Sequence, residues 1–216
     1  MNNNRLITVE HPNSQISEAY RTLRTNIQFS SLDKNVKTIV VTSSVAGEGK
    51  STTCANLGVV MAENGYNTIL IDCDFRNPSL HRQFNIPNRK GLLGFLEGNA
   101  LFSESVQKTK VSNLDIAMVG TKANNPSKLI SSEKLKNLIE DLKETYDYII
   151  IDTPPVTIAT DAQLLSTYAD GCVLVVASSQ VEKAAALKAK ALLEKVKAKI
   201  LGVVLNKLDV KQNGYY

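Results

Sequence analysis

No run of apolar residues in this chain approaches the roughly 18 that a membrane span needs. The polar start, Met1-Asn-Asn-Asn-Arg5, has no apolar stretch behind it of the kind a secretory signal carries. Cysteine is scarce: Cys54, Cys73 and Cys172 lie far apart, without a C-x-x-C pair. That excludes a disulfide framework and a cysteine zinc site, and it fits a reducing compartment. His11 and His81 are isolated and lack metal-ligand spacing. Neither sign of charge dominates, since 25 Lys+Arg against 21 Asp+Glu leave a net of +4. So small an excess does not argue for nucleic acid. No internal repeat or low-complexity linker divides the chain. What remains is 216 residues, 43% hydrophobic, enough to bury the core of a single α/β domain over 1–216 in the cytoplasm.

From Lys37 onward, short β-rich runs alternate with helical patterning. Thr38–Thr42, Thr68–Ile71, Leu114–Val119, Tyr148–Ile151, Cys172–Val176 and Ile200–Leu205 read as strands. Most are apolar on both faces, as parallel strands covered by helices on two sides must be. Lys50–Asn64, Glu133–Thr145, Ala159–Tyr168 and Glu182–Lys197 read as helices, with Gly65 and Gly171 at turns into the next strand. The expected fold is a doubly wound, mostly parallel sheet with helices on both faces, its ligand site at the carboxyl ends of the strands. Residues 1–36 are expected to form an amphipathic helix before the sheet.

The strongest local signal is Ser43-Ser-Val-Ala-Gly-Glu-Gly-Lys-Ser-Thr52. It departs from the G-x-x-x-x-G-K-[ST] pattern only where Ser44 replaces the first Gly. Strand, loop and helix follow in the order that pattern requires. Gly47 and Gly49 allow backbone N–H groups to close around phosphate oxygens, and the following helix adds its positive end. Ala46, Gly47, Glu48, Gly49, Lys50, Ser51 and Thr52 are therefore candidate nucleotide-binding residues. Lys50 is placed to reach the β- and γ-phosphates, and the Ser51 hydroxyl to ligate Mg²⁺.

Two acidic strand ends accompany this loop. Thr68-Ile-Leu-Ile-Asp-Cys-Asp-Phe-Arg76 carries Asp72 and Asp74 on one side and Cys73 on the other. Like charges on one face repel unless a cation sits beside them, and a Mg²⁺–nucleotide supplies one. Asp152 ends Tyr148–Ile151 and precedes Thr153-Pro-Pro155, a second hydrophobic-strand-then-Asp arrangement suited to Mg²⁺. Arg76 either neutralises a transferring phosphate or pairs with these acids; the sequence does not rank the two.

Together these three motifs resemble the bacterial tyrosine kinases of capsule and exopolysaccharide synthesis, in the separate kinase form of Gram-positive bacteria. The likeness also covers Ser17-Glu-Ala-Tyr-Arg-Thr-Leu-Arg24, Asn125-Pro-Ser127 and Thr160-Asp-Ala-Gln-Leu-Leu165. It implies a P-loop NTPase fold, ATP and Mg²⁺ as cofactors, Asp72 as the base for a tyrosine hydroxyl, and Ser51, Asp74 and Asp152 around the metal. Glu18, Arg21 and Arg24 match the family's E-x-x-R-x-x-R element, which joins subunits into a ring; a local Glu18–Arg21 ion pair is the plainer reading of the spacing. The resemblance makes Tyr215 and Tyr216, in a tail over 207–216, the substrates of autophosphorylation. It further implies activation by the cytoplasmic tail of a membrane adaptor, which would hold the chain at the inner face of the membrane. A tyrosine phosphatase would reset it. Lys128 stands where the family usually has Glu.

Asn206, within Val204-Leu-Asn-Lys-Leu-Asp209, is a candidate base contact. The competing class is a Min- or Par-type ATPase switch that phosphorylates nothing; such proteins carry an extra lysine early in the loop, where Val45 stands here. Lysines 183, 188, 190, 195, 197 and 199 crowd one region, either a solvated helix face or a contact with anionic lipid or an acidic partner.

Overall fold

The computed structural model describes residues 6–30, 36–120 and 126–208. Two helices come first, α1 (Ile7–Glu10) and α2 (Gln15–Phe29). The expected single helix over 1–36 is therefore interrupted. Pro12 favours a break, and the Ser14 side chain caps a new start by accepting from the Ser17 N–H at 3.1 Å. There follow β1 (Thr38–Ser43), α3 (Lys50–Glu63), β2 (Thr68–Asp72), and the short α4 (Leu80–Gln83) and α5 (Leu92–Leu96). Next are β3 (Val106–Lys108), β4 (Leu114–Ala117), α6 (Pro126–Ile130), α7 (Glu133–Leu142) and β5 (Tyr148–Asp152). The chain closes with α8 (Asp161–Ser166), β6 (Gly171–Ala177), α9 (Lys183–Lys195) and β7 (Ile200–Asn206).

The strands form one seven-stranded sheet in the order β3-β4-β2-β5-β1-β6-β7. Every pairing is parallel except β3 with β4. Alternation along the strands divides the core in two. Ile39, Val41, Leu70 and Ile150 face α3, whose side chains from Cys54 to Ala62 are buried. Val40, Ile69, Ile71, Ile149 and Ile151 face α5, α7, α8 and α9. A central strand covered on both sides needs this continuous apolar run. The short α1 is held to α3 by Asn56, whose Oδ1 accepts from the Thr8 amide at 3.1 Å and the Thr8 hydroxyl at 2.8 Å.

Two expectations need correction. Gly171 does not turn a helix into a strand; it lies in β6, where a Cβ would come within 2.4 Å of Leu201 on β7. Its missing side chain leaves room for the Leu201 side chain. The apolar run Ile200–Leu205 is not covered on both faces either, because β7 is the sheet edge and Val203 and Leu205 are more than half exposed.

Candidate active site

The sheet brings β1, β5 and β2 side by side, so their carboxyl ends open on one cleft of about 380 Å³. Ala46, Gly47, Lys50, Ser51, Asp74 and Arg76 are among its lining residues. Between β1 and α3 the loop is built for an anion. Gly47 has φ +83° and Gly49 φ +95°, a region that a side chain disfavours. From Ala46 through Thr52 the backbone N–H groups make no hydrogen bond among the described residues. They end at the amino terminus of α3, which carries the helix's positive partial charge. A run of free amides at a helix start is what phosphate oxygens require.

Internal struts hold the loop open. Glu48 turns its side chain into the protein: Oε2 accepts from the Ser44 hydroxyl and the Val45 amide, both at 2.7 Å, and Oε1 from the Ala177 amide at 2.9 Å. This accounts for Ser44 in place of the usual glycine, since its hydroxyl anchors the strut. The Asn206 amide donates to the Glu48 carbonyl at 2.8 Å and lies where a Gly49 Cβ would fall, 2.0 Å from Nδ2. The candidate base contact therefore also fixes the loop from behind. Its other side borders a groove of about 320 Å³ between α2 and β7.

Below the loop, one cation meets three oxygens. Lys50 Nζ lies 2.8 Å from Asp74 Oδ2, 3.3 Å from Asp152 Oδ1 and 3.1 Å from Ser51 Oγ. Burial works against the Lys50 charge, but Asp152 and Asp74 outweigh it and hold its pKa above the ordinary lysine value. Burial also raises the Asp152 pKa against the lowering pull of Lys50, and Asp152 Oδ2 has no partner among the described residues. Ser51, Asp74 and Asp152 thus already converge on a positive charge with oxygen valence to spare. Mg²⁺ prefers hard oxygen donors and keeps several waters, so it fits this set. No group of three or more His, Cys, Asp or Glu residues that could hold a metal exists among the described residues.

Asp72 is placed differently from Asp74. It is wholly buried, and both of its oxygens hold backbone: Oδ1 accepts from the Asp74 amide, and Oδ2 from the Ser79 and Leu80 amides, each at 3.1 Å. Burial, and then the charge of Asp152, push its pKa up to about 8. Arg76 does not reach Asp72 or Asp74. Its Nη2 donates to Ser127 Oγ at 3.0 Å and pairs with Asp161 Oδ1 at 3.6 Å. Asp161, at the first turn of α8, is a site residue the sequence reading did not assign. Its position there resembles an ordinary helix-start acid, and only its contact with Arg76 distinguishes it.

In α2, Arg21 pairs with Glu18 at 2.8 Å and donates to the Pro12 carbonyl at 2.8 Å, while Arg24 donates to the Val60 carbonyl at 3.4 Å. The local ion pair is therefore present within one chain. Asn125, Tyr215 and Tyr216 lie outside the described residues.

A phosphate loop, two acidic strand ends and a parallel sheet define a P-loop NTPase. A family model, ParA, described as the NUBPL iron-transfer P-loop NTPase, matches residues 34–213. Relatives narrow the class. The tyrosine-protein kinase YwqD of Bacillus subtilis is 42% identical over 214 residues, covering 98% of this chain and 90% of that protein. The tyrosine-protein kinase CpsD of Streptococcus pneumoniae serotype 4 is 42% identical over 199 residues, 92% of this chain and 87% of that one. Among solved structures, the chimerical protein CapA2B2 superimposes with a TM-score of 0.91 at 44% identity, covering 94% of this chain and 89% of that one. The MinD protein of Pyrococcus horikoshii, complexed with Mg-ADP, reaches 0.68 at 26% identity, over 79% of this chain and 70% of that chain. The chain belongs to the bacterial tyrosine-kinase family of P-loop NTPases.

Proposed function

We propose that this chain is an ATP-dependent protein-tyrosine kinase that phosphorylates its own C-terminal tyrosines and regulates capsular or exopolysaccharide synthesis. The carrying observation is the convergence of Lys50, Ser51, Asp74 and Asp152 beneath a run of free loop amides. The near full-length likeness to tyrosine-protein kinases supports the same reading.

The residues divide the work. The amides from Ala46 to Thr52 grip the phosphates, and Asn206 contacts the base. Lys50 leaves its carboxylates for the phosphate charge, while Ser51, Asp74 and Asp152 would hold Mg²⁺, which would supply neutralising charge for the transferring group. The phenolic oxygen bonds to the γ-phosphorus as the bond to the bridging oxygen breaks and ADP leaves. Asp72 takes the phenolic proton; burial raises its proton affinity above that of an ordinary carboxylate. Its Oδ1, which accepts only the Asp74 amide, keeps a lone pair for that proton. Arg76 meets the transferring phosphate from the cleft wall.

The family resemblance adds partners: a membrane adaptor's cytoplasmic tail as activator, other protein substrates, a phosphatase, and a ring of copies joined through Glu18, Arg21 and Arg24. The resemblance puts the chain at the inner membrane face through that adaptor; no helix among the described residues is long and apolar enough to cross a membrane. The test is to incubate the purified chain with ATP and Mg²⁺, with and without an adaptor-tail peptide, and to map phosphate by mass spectrometry. Phosphate on Tyr215 or Tyr216, increased by the peptide and lost in Lys50→Met, supports the reading. ADP formation with an unmodified tail would establish the switch ATPase instead.

A further inference from the structure

The charge of this protein is concentrated in one place. Over residues 182–199 there are six lysines against Glu182 and Glu194; removing these from the 25 Lys+Arg and 21 Asp+Glu leaves 19 of each sign elsewhere. The whole formal excess of +4 therefore belongs to α9 and its flanks.

The helix arranges these charges. Ala189 and Leu193 are buried against the sheet. At 3.6 residues per turn the opposite, outward stripe is Ala184, Leu187 and Ala191. Leu187 is 54% exposed at its centre. On the same periodicity Lys183 and Lys190 lie along one side of the stripe, and Lys188 and Lys195 along the other. All four lysines are exposed. Glu194 is the acid on this face, and it pairs with Lys190 at 3.3 Å. Lys183, Lys188, Lys195 and Lys197 make no ion pair among the described residues. The outward face thus sets an exposed leucine among the unpaired Lys183, Lys188 and Lys195.

We propose that the outward face of α9 is a docking surface for an anionic lipid bilayer. The helix lies in the interface plane, with Leu187 entering the headgroup region and the flanking lysines meeting lipid phosphates. Lysine stems reach past an apolar stripe to charged headgroups without burying the ammonium. Charge complementarity selects anionic lipid, and Leu187 between the lysines favours a surface that accepts an apolar side chain over a purely acidic macromolecule. The contact is independent of the kinase reading, because binding is measured without nucleotide. A failure here leaves that reading untouched.

The test is cosedimentation of the full chain with vesicles in which about one third of the lipid is phosphatidylglycerol and the rest phosphatidylcholine. Binding is expected to the anionic vesicles, to be absent with phosphatidylcholine alone, and to be released by raising salt to about 0.5 M. The double variant Lys188→Gln with Lys195→Gln should lower the partition coefficient by about tenfold, and adding Lys183→Gln and Lys190→Gln should abolish binding. Leu187→Gln should weaken it several-fold at unchanged charge. Lys110→Gln with Lys136→Gln, exposed lysines elsewhere, should bind as the unaltered chain does. Equal binding to phosphatidylcholine, salt-insensitive binding, or full binding by the fourfold variant overturns the proposal. So does capture by polyglutamate with the anionic vesicles ignored, which would make the partner an acidic macromolecule.

Discussion

Asp72 and Asp152 stand opposite each other in the register of β2 and β5, both wholly buried at the centre of the sheet. Neighbouring strands are only about 4.8 Å apart, so two carboxylates held there oppose each other's ionisation. Burial raises the pKa of both. The cation that offsets them is the phosphate-loop lysine, Lys50. The sheet thus holds a repulsion whose relief depends on positive charge delivered to the cleft.

Protein stability should therefore fall with pH. In the folded chain the Asp72 carboxyl rises from an ordinary 3.8 to about 8. The folded state then binds the proton more tightly than the unfolded state. Its contribution is fully present below the unfolded value and is lost as pH rises through about 8. Asp152 shifts in the same direction, whereas Lys50, held above its ordinary value, matters only in strong alkali. Urea titrations without ligand should show a loss of about 2 kcal/mol or more between mildly acid and mildly alkaline pH. Saturating Mg²⁺ and ADP should flatten the slope. A pH-independent midpoint would contradict the charge arrangement.

Lys50→Met should cost stability as well as activity. It removes the partner of Asp74 and Asp152 from a site where the lysine side chain is 12% exposed. Breaking a buried pair from one side costs about 3–5 kcal/mol, and the raised pKa of Asp152 will reduce that. A loss of about 2 kcal/mol is expected by urea unfolding, with part regained in Lys50→Met/Asp152→Asn, because the two changes share one interaction. If Lys50→Met unfolds like the unaltered chain, its role is confined to nucleotide.

Much of the fold was legible because central parallel strands are written as β-branched runs, and all six predicted strands are present. What escaped was short or at an edge. β3 is Val106-Gln-Lys108, partly exposed and antiparallel, with no apolar run to mark it. α4, α5 and α6 are four or five residues long, too short for helical periodicity to register. Composition could not distinguish β7, at the edge, from its covered neighbours. Within the site, Lys50, Ser51, Asp74 and Asp152 were readable from motif spacing, and the structure brings them together. The strut role of Glu48 and the pairing of Arg76 with Asp161 were not, since both depend on contacts between distant segments.

The two loop glycines should respond unequally. A Cβ on Gly47 meets nothing within 4 Å, so Gly47→Ala carries only the strain of φ +83°, about 1–2 kcal/mol. On Gly49 the strain of φ +95° is joined by a clash with Asn206 Nδ2 at 2.0 Å. Gly49→Ala should be the more destabilising by about 1 kcal/mol or more and should displace Asn206 from the Glu48 carbonyl. Nucleotide affinity, followed with a fluorescent ADP analogue, should drop further in Gly49→Ala than in Gly47→Ala. Adding Asn206→Ala should relieve the clash and recover part of the stability while leaving the strain. Equal effects of the two alanines would contradict the strut assigned to Asn206.

Asp161 should act through Arg76. Its carboxylate is wholly buried, neither oxygen accepts a hydrogen bond among the described residues, and the Arg76 guanidinium lies 3.6 Å away. Burial raises its pKa and Arg76 pulls it back down, so a charge is kept in an unfavourable place chiefly for that arginine. Asp161→Asn removes the buried charge at nearly constant volume. Thermal stability should be unchanged or slightly higher, where loss of an ordinary structural acid would lower it. Arg76 would lose its fixed direction over the cleft, and kcat for tyrosine phosphorylation should fall by about tenfold with KM for ATP within about twofold. Arg76→Gln should give a similar loss, and the double variant should be little worse than either, because both changes remove one positioned guanidinium. A fall in melting temperature with kcat intact, or fully additive losses, would assign Asp161 to the fold and Arg76 to a role of its own.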